Sequence, residues 1–424
     1  MATTSIGTAT MTAGATMTGR KGRSKIAILL LLFFGWCLGN MDRLAMSFAV
    51  IPLGKEFGFS SSLIGLVLSS FFIGYVIMQI PGGWLADRFG SRKVLLIIVF
   101  VWSVFTGLTG SAWSLISLLG IRVLFGLSEG SFSPAAFKML SEVFPKRERG
   151  RAIAILLSSG GIMTVLVPIL SGVLITKVGW RGLFYVIGGV GIVIVALFLL
   201  FLNPRPVEEA EDETSGAEKT SAPKGIGQLL RMPMIWQLII VNFSVYTLLW
   251  GTTSWIPSYL VKARGLSLMS IGWLQIIPGV GSLASMYLSG IAFDKLKPTA
   301  NKTLSIIASA LAAATLFLMY TCPTVALFIL YETIFSLALG FIVPYMPTVL
   351  MKRLPSSVAG SAIGLVNFAA QLGGLVTPLV IGVLVDLFKG LFIAAFGYLI
   401  VFALVAFVLF TFLKPTQDTR PSRG

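Results

Sequence analysis

Twelve stretches of mostly apolar residues run through this chain of 424: 26–51, 63–84, 94–113, 115–142, 152–176, 183–203, 234–261, 270–292, 303–321, 324–350, 361–385 and 391–413. Each is close to the length of about 20 residues that a helix needs to cross a hydrocarbon core. In lipid the backbone must satisfy its own hydrogen bonds, which leaves helices or closed barrels as spanning structures. Runs this long and continuous read as helices, so an all-α membrane protein of twelve transmembrane helices is expected.

Composition agrees. Hydrophobic residues make up 56% of the chain and charged ones 11%, against about 25% charged in soluble domains. The net charge of +16 raises the question of nucleic acid, and topology answers it. With the N-terminus inside, the outer loops hold only Lys55, Lys177, Arg181, Lys262, Arg264 and Lys389, and the helices hold Arg43, Arg122 and Lys138. The other 23 of the 32 basic residues fall in inner segments. That is the positive-inside pattern, so a multi-pass inner-membrane protein with both termini cytoplasmic is expected and no nucleic-acid partner. Two cysteines and no histidine suggest neither a disulfide framework nor a metal site, and no cofactor is expected. Proton chemistry near neutral pH then falls to carboxylates, without the usual imidazole switch.

The expected organisation is a cytoplasmic N-terminal tail at 1–25, a first bundle at 26–203, a polar linker at 204–233, a second bundle at 234–413 and a C-terminal tail at 414–424. Residues 1–25 contain no acid and read either as a disordered tail or as a transit peptide. The linker, "NPRPVEEAEDETSGAEKTSAPKG", has the composition of disorder. The two bundles are related by a repeat. At a shift of 210, Gly130, Pro134, Pro145, Gly150 and Pro168 meet Gly340, Pro344, Pro355, Gly360 and Pro378. At a shift of 207, Gly83 and Asp87 meet Gly290 and Asp294. Six spans separate the copies, so they share one orientation, as in parallel-repeat transporters.

"GNMDRLAMSF" at 39–48 places Asp42 and Arg43 side by side within the first run. Each such group costs roughly 2.5–3.5 kcal/mol at a bilayer centre on insertion scales. Arg122 and Glu129 lie seven residues apart in the fourth run, two turns along one face, which puts Glu129 near Arg122 as its expected countercharge. An arginine offers a planar fork that matches a carboxylate and stays charged; a buried acid titrates according to its neighbours. A site holding both can bind an anion and carry a proton. The alternative is a set of structural ion pairs, and Arg43, turned about 100° from Asp42, can equally face another helix. Lys138 is placed to snorkel. Glu332, which falls on Arg122 at the 210 shift, reads as a structural partner or an extra proton site. One-turn pairs Tyr75 with Gln79, Asn242 with Tyr246, and Asn367 with Gln371 can line a cavity for a polyhydroxy acid or join helices. "GGWLADRFGSRK" at 82–93 joins the second and third runs; Gly83 and Gly90 permit a tight turn, and Asp87, Arg88 and Arg92 can lock the loop against a neighbouring helix end.

That loop, together with the twelve runs and the repeat, resembles the major facilitator superfamily over residues 26–413. "NMDR", "RVLFGLSEGSFSPA" (122–135), "FPKRERGRAIAI" (144–155) and "GWRGLF" (179–184) resemble its anion:cation symporter branch, which includes sugar-acid carriers and vesicular glutamate and sialate carriers. The resemblance implies two six-helix bundles around a central cavity and alternating access. It also implies proton-driven uptake of an organic anion such as a hexuronate, aldonate or aldarate. On this reading Asp42 and Glu129 couple protons, Arg43, Arg122 and the polar pairs bind substrate, and the 82–93 loop gates. The expected partners are a small organic anion, protons and the lipid bilayer, with the monomer as the working unit. A drug–proton antiporter is the alternative on the same fold. Helix five, "LLSSGGIMTVLVPILSG", lacks the Gly-Pro arrangement common in such exporters, and two membrane arginines disfavour a cationic drug. No nucleophile–base set or phosphate loop supports an enzyme, and no appended soluble domain supports a sensor.

Overall fold

In a computed structural model the described residues are 10–202, 229–354 and 356–413. Residues 1–9, residues 203–228, which hold most of the linker expected at 204–233, Pro355 and the tail from 414 lie outside them. Every long element is a helix: α1 (Thr10–Phe57), α2 (Ser61–Phe89), α3 (Ser91–Gly110), α4 (Leu115–Gly130), α5 (Phe132–Val143), α6 (Lys146–Phe201), α7 (Pro233–Lys262), α8 (Leu268–Leu274), α9 (Ile276–Lys295), α10 (Pro298–Thr321), α11 (Val325–Ile342), α12 (Tyr345–Arg353), α13 (Ser356–Leu387) and α14 (Ile393–Phe412). The first helix reaches back to Thr10, well into the segment expected as a disordered tail. No proline interrupts residues 10–25, and a helix already nucleated by the apolar span extends without a new nucleation cost, although Gly14, Gly19 and Gly22 are weak helix formers.

Eleven helical stretches are long and apolar enough to cross a membrane. One of them, Arg147–Phe201, has 55 residues, about 80 Å of helix, far more than one crossing requires. It is broken at Gly179, whose φ of 72° and ψ of 174° are not helical. Its neighbours show that the chain turns back there. Gly160 lies beside Asn40, Trp180 donates to Glu56 at 2.7 Å, and Gly35 lies beside Phe198. The chain climbs alongside α1 and then descends along it, so runs five and six are two passes, as expected. Three other runs each contain two helices. The breaks after α4 and α11 fall at repeat-equivalent places, just before Pro134 and at Pro344, where proline removes a backbone donor.

α1 to α6 form one bundle and α7 to α14 the other, and they meet where α2 packs on α13, α6 on α8 and α9, and α1 on α7. The repeat is written into this interface. Gly65 of α2 sits against the Pro378 carbonyl of α13, and Gly272 of α8 sits against the Pro168 carbonyl of α6. One turn further, Gly382 meets the Ser61 backbone and Gly172 meets the Leu268 backbone. None of the four positions has room for a Cβ. Small residues let backbones approach this closely, and dispersion then substitutes for a hydrophobic drive that lipid does not supply.

All four contacts lie in the half of the protein opposite the basic loops, here called the outer half. A carboxylate reinforces them. Asp386 at the end of α13 accepts from Ser61 N at 2.9 Å, Ser62 N at 2.7 Å and Ser62 Oγ at 2.6 Å. It caps the free N–H groups of α2, where a negative charge is also favoured by the helix dipole. The two bundles are thus closed on the outer side. Asp386→Ala is expected to shift the equilibrium toward an outer-open form by roughly tenfold, the scale of one charged hydrogen bond net of solvent exposure. Faster labelling, from the outer side, of a cysteine placed at Thr252 reads this out; an unchanged rate would show that the glycine contacts alone hold the closure.

Candidate anion and proton site

α1 and α4 bring four ionisable groups together between them. α2 sets the position of α4: Gly74, Gly126 and Gly130 place the two backbones in direct contact, with no space for a side chain at any of the three. The result is a pair of crossed bridges. Arg122 donates from Nη1 to Asp42 Oδ1 at 2.6 Å, and both side chains are sealed, 2% and 1% exposed. Arg43 donates from Nη2 to Glu129 Oε1. The Glu129 carboxylate lies against Gly39, one turn before Arg43, where an added Cβ would stand 2.8 Å from Oε1.

This pairing corrects one expectation. Glu129 was expected to lean on Arg122, its neighbour on the same face of α4. Its partner is Arg43, the group whose direction was open, and Arg122 belongs to Asp42. The reason is geometric. Two turns separate Arg122 from Glu129 along α4, whereas α1 lies close enough for each α4 group to find an opposite charge across the interface.

Arg43 is the more accessible arginine, at 15% exposure. Its guanidinium carbon lies 4.9 Å from the ring centres of both Phe71 and Tyr75 and 5.6 Å from that of Trp250. Aromatic faces favour a cation held this way, and they keep it aimed at the small cavity that it lines with Arg122, Ser47, Trp250, Thr253 and Ser254. That cavity holds only about 10 Å³. Asp42 Oδ2, Glu129 Oε2, Arg43 Nε, Arg122 Nε and Trp250 Nε1 are buried with no hydrogen-bond partner in the protein. Buried polar atoms without partners are costly, and these five belong to the two bridges and to Trp250 beside them.

The other expected residues divide. Tyr75 is in the site, under Arg43. Tyr246 of α7 is half-buried and joins neither bridge. Gln371 is buried with its Oε1 orphaned. Asn242 donates to the Val366 carbonyl at 2.8 Å, a tie between α7 and α13 and not a cavity lining. Gln79 and Asn367 are half-buried and join neither bridge. Trp250, Thr253 and Gly39 were missed. Trp250 and Thr253 face the site only because α7 packs on α1, which no spacing within either helix reveals.

At the inner end, Gly90 takes a φ of 86°, turning α2 into α3, and Gly83 lies beside Pro134. Asp87 pairs with Lys138 Nζ at 2.9 Å, and the same nitrogen donates to the Ala86 carbonyl at 2.9 Å. Lys138 thus carries its charge to the inner end, where it holds the loop to α5 of its own bundle. Arg88 lies over the rings of Trp84 and Phe89, and Arg92 keeps a buried, unpartnered Nε. Among the described residues no three metal-ligating side chains cluster.

Comparison with known proteins identifies the family. The chain is 32% identical over 426 residues to the probable galactarate/D-glucarate transporter GarP of Escherichia coli (strain K12), covering 93% of this chain and 96% of that protein. It is 28% identical over 407 residues to the hexuronate transporter of Bacillus subtilis (strain 168), covering 92% and 95%. A crystal structure of a bacterial homologue of the human lysosomal transporter Spinster superposes with a TM-score of 0.77 at 18% identity, covering 91% of this chain and 96% of that one. The family model of the Major Facilitator Superfamily matches residues 28–378. With that match, the two-bundle repeat and the charged interface, this chain belongs to the Major Facilitator Superfamily and is a membrane transporter, not an enzyme.

Proposed function

We propose that the protein imports a sugar acid together with a proton by alternating access. One observation carries the reading: Arg43, caged by aromatic rings and facing a cavity, is held by Glu129. A substrate carboxylate and Glu129 cannot both occupy that guanidinium. When substrate takes Arg43, Glu129 is left buried without its countercharge, and an isolated buried carboxylate favours the protonated form. When the proton leaves, Glu129 reclaims Arg43 and expels the anion. Binding and protonation are thereby linked, and the linkage is reciprocal. Asp42, locked to Arg122 beside the same cavity, is the second acid and acts as a proton relay when the bundles move.

The substrate class rests on the relatives, which are named as carriers of galactarate or glucarate and of hexuronate, and on the hydroxyls of Ser47, Thr253 and Ser254 beside the arginines. The expected location is the inner membrane with both termini cytoplasmic, and each chain carries a complete pathway, so the monomer is expected to work alone. A drug–proton antiporter on the same fold is opposed by two arginines where a cationic drug would sit.

Purified protein in liposomes tests the reading. Labelled D-gluconate or D-glucuronate is expected to accumulate when the lumen is alkaline relative to the outside, and to stop when the gradient is collapsed. Uptake indifferent to the gradient, or none with any sugar acid, would sink it. Arg43→Lys keeps the charge and loses the fork. Substrate affinity is expected to fall roughly ten- to a hundredfold, the scale of about 1.5–3 kcal/mol for a charged hydrogen bond. Calorimetric titration reads this directly, and wild-type affinity would remove Arg43 from contact with substrate.

A further inference from the structure

Resting on the sugar-acid reading, we infer that a second cavity, built around Glu332, seats the far end of the substrate, and that Glu332 binds that end as a neutral acid, by donating a hydrogen bond. The cavity holds about 110 Å³, far more than the arginine cavity. It is lined from both bundles, by Leu44 and Thr164 on one side and by Thr253, Gln275 and Glu332 on the other. Thr253 of α7 lines the arginine cavity as well, so the two adjoin across one residue. They also sit at matching depth in the repeat: Arg122 is seven residues into α4, which starts at Leu115, and Glu332 is seven residues into α11, which starts at Val325. A sugar acid held at Arg43 by one carboxylate therefore extends its other end toward Glu332.

The surroundings of Glu332 decide its form. It is 4% exposed. Among the described residues no lysine or arginine pairs with it, and no other ionisable group lines the cavity. A carboxyl buried without a cation holds its proton, and a neutral acid in such a place serves as a hydrogen-bond donor. Gln275 Nε2 donates to Glu332 Oε2 at 3.0 Å. The oxygen that accepts from the amide serves as the carbonyl, which leaves Oε1 to carry the hydroxyl. Thr253, Ser282 and Ser336 bring further hydroxyls to the same cavity. The cavity thus offers donors without a fixed charge. A hydroxyl at the far end of the substrate accepts one neutral hydrogen bond there. A second carboxylate accepts a charge-assisted one, about twice as strong, and meets no like charge. Monoacids and diacids both fit, and the diacid gains more from the Glu332 proton.

D-gluconate and D-glucarate differ only in carrying CH2OH or a carboxylate at one end, which makes them the probe pair, titrated by calorimetry against the full-length protein in detergent. Wild-type protein is expected to bind glucarate at least as tightly as gluconate. Glu332→Leu removes the donor; glucarate affinity is expected to fall roughly tenfold or more, the scale of a charged hydrogen bond, and gluconate affinity about threefold, the scale of a neutral one. Glu332→Gln restores a donor without a charge and is expected to hold both losses to about threefold or less. Wild-type protein that binds glucarate tenfold more weakly than gluconate overturns the inference, and so does a Glu332→Gln that binds glucarate tenfold more tightly than wild type, because either result means a charged Glu332. A folded Glu332→Leu that binds both acids as wild type does, or loses both equally, also overturns it, since a merely structural side chain does not tell the two ends apart. Where Glu332→Leu fails to fold, the wild-type comparison and Glu332→Gln still decide. All of these outcomes leave sugar-acid transport standing. If neither acid binds wild-type protein, the sugar-acid reading itself fails, and this inference with it.

Discussion

Glu129→Gln is expected to abolish concentrative uptake while sparing exchange. The amide mimics the protonated acid, so Arg43 is permanently released and substrate still finds its guanidinium. What is lost is the return step, in which a deprotonated Glu129 competes the anion off and resets the site. One pH unit corresponds to about 1.4 kcal/mol for each proton moved, so a tightly coupled carrier accumulates about tenfold per unit of gradient. The variant is expected to equilibrate at a ratio near one. Counterflow, in which unlabelled substrate inside drives labelled substrate in, should persist. The two assays together decide the role: loss of both would mean that Glu129 only builds the site, and retention of accumulation would pass the coupling to Asp42 or Glu332.

The second large effect concerns the sealed bridge. Arg122→Gln leaves Asp42 buried and charged with no partner, and breaking such a pair costs about 3–5 kcal/mol. A marked fall in thermal unfolding temperature is expected, visible in detergent by tryptophan emission. The companion variant Asp42→Asn/Arg122→Gln removes both charges and is expected to recover most of that stability, because no uncompensated ion remains. It is not expected to recover proton-coupled transport. The coupling energy from the full double-mutant cycle separates the pair from its surroundings. If the double variant is as unstable as Arg122→Gln alone, the bridge is not what holds Arg122 in place, and its packing over Phe125 at 5.0 Å becomes the explanation.

Much of this was legible in the residues. Apolar runs of spanning length determined the helices, because lipid admits almost no other backbone. The prolines and glycines at shifts of 210 and 207 determined the repeat; of these, Pro134 and Pro344 lie at the breaks after α4 and α11, and Pro168 and Pro378 lie where α6 meets α8 and α13 meets α2. The cost of burying Asp42, Arg43, Arg122 and Glu129 singled out four groups that need partners, and the structure pairs them. Local patterns carry this information because each rests on a property of one segment in its solvent.

Only the tertiary structure decided who pairs with whom. Spacing along α4 put Glu129 beside Arg122, but an ion pair forms across the closest gap, and that gap runs between helices. Hence Arg43 holds Glu129, Arg122 holds Asp42, Lys138 holds Asp87, and Asp386 closes the outer side by capping a helix 325 residues earlier in the chain. The same holds for Trp250 and Thr253, whose place in the site depends on how α7 rotates against α1. Side-chain charge is a property of sequence; the distance between two charges on different helices is set by how the backbones pack, and electrostatic energy depends on that distance.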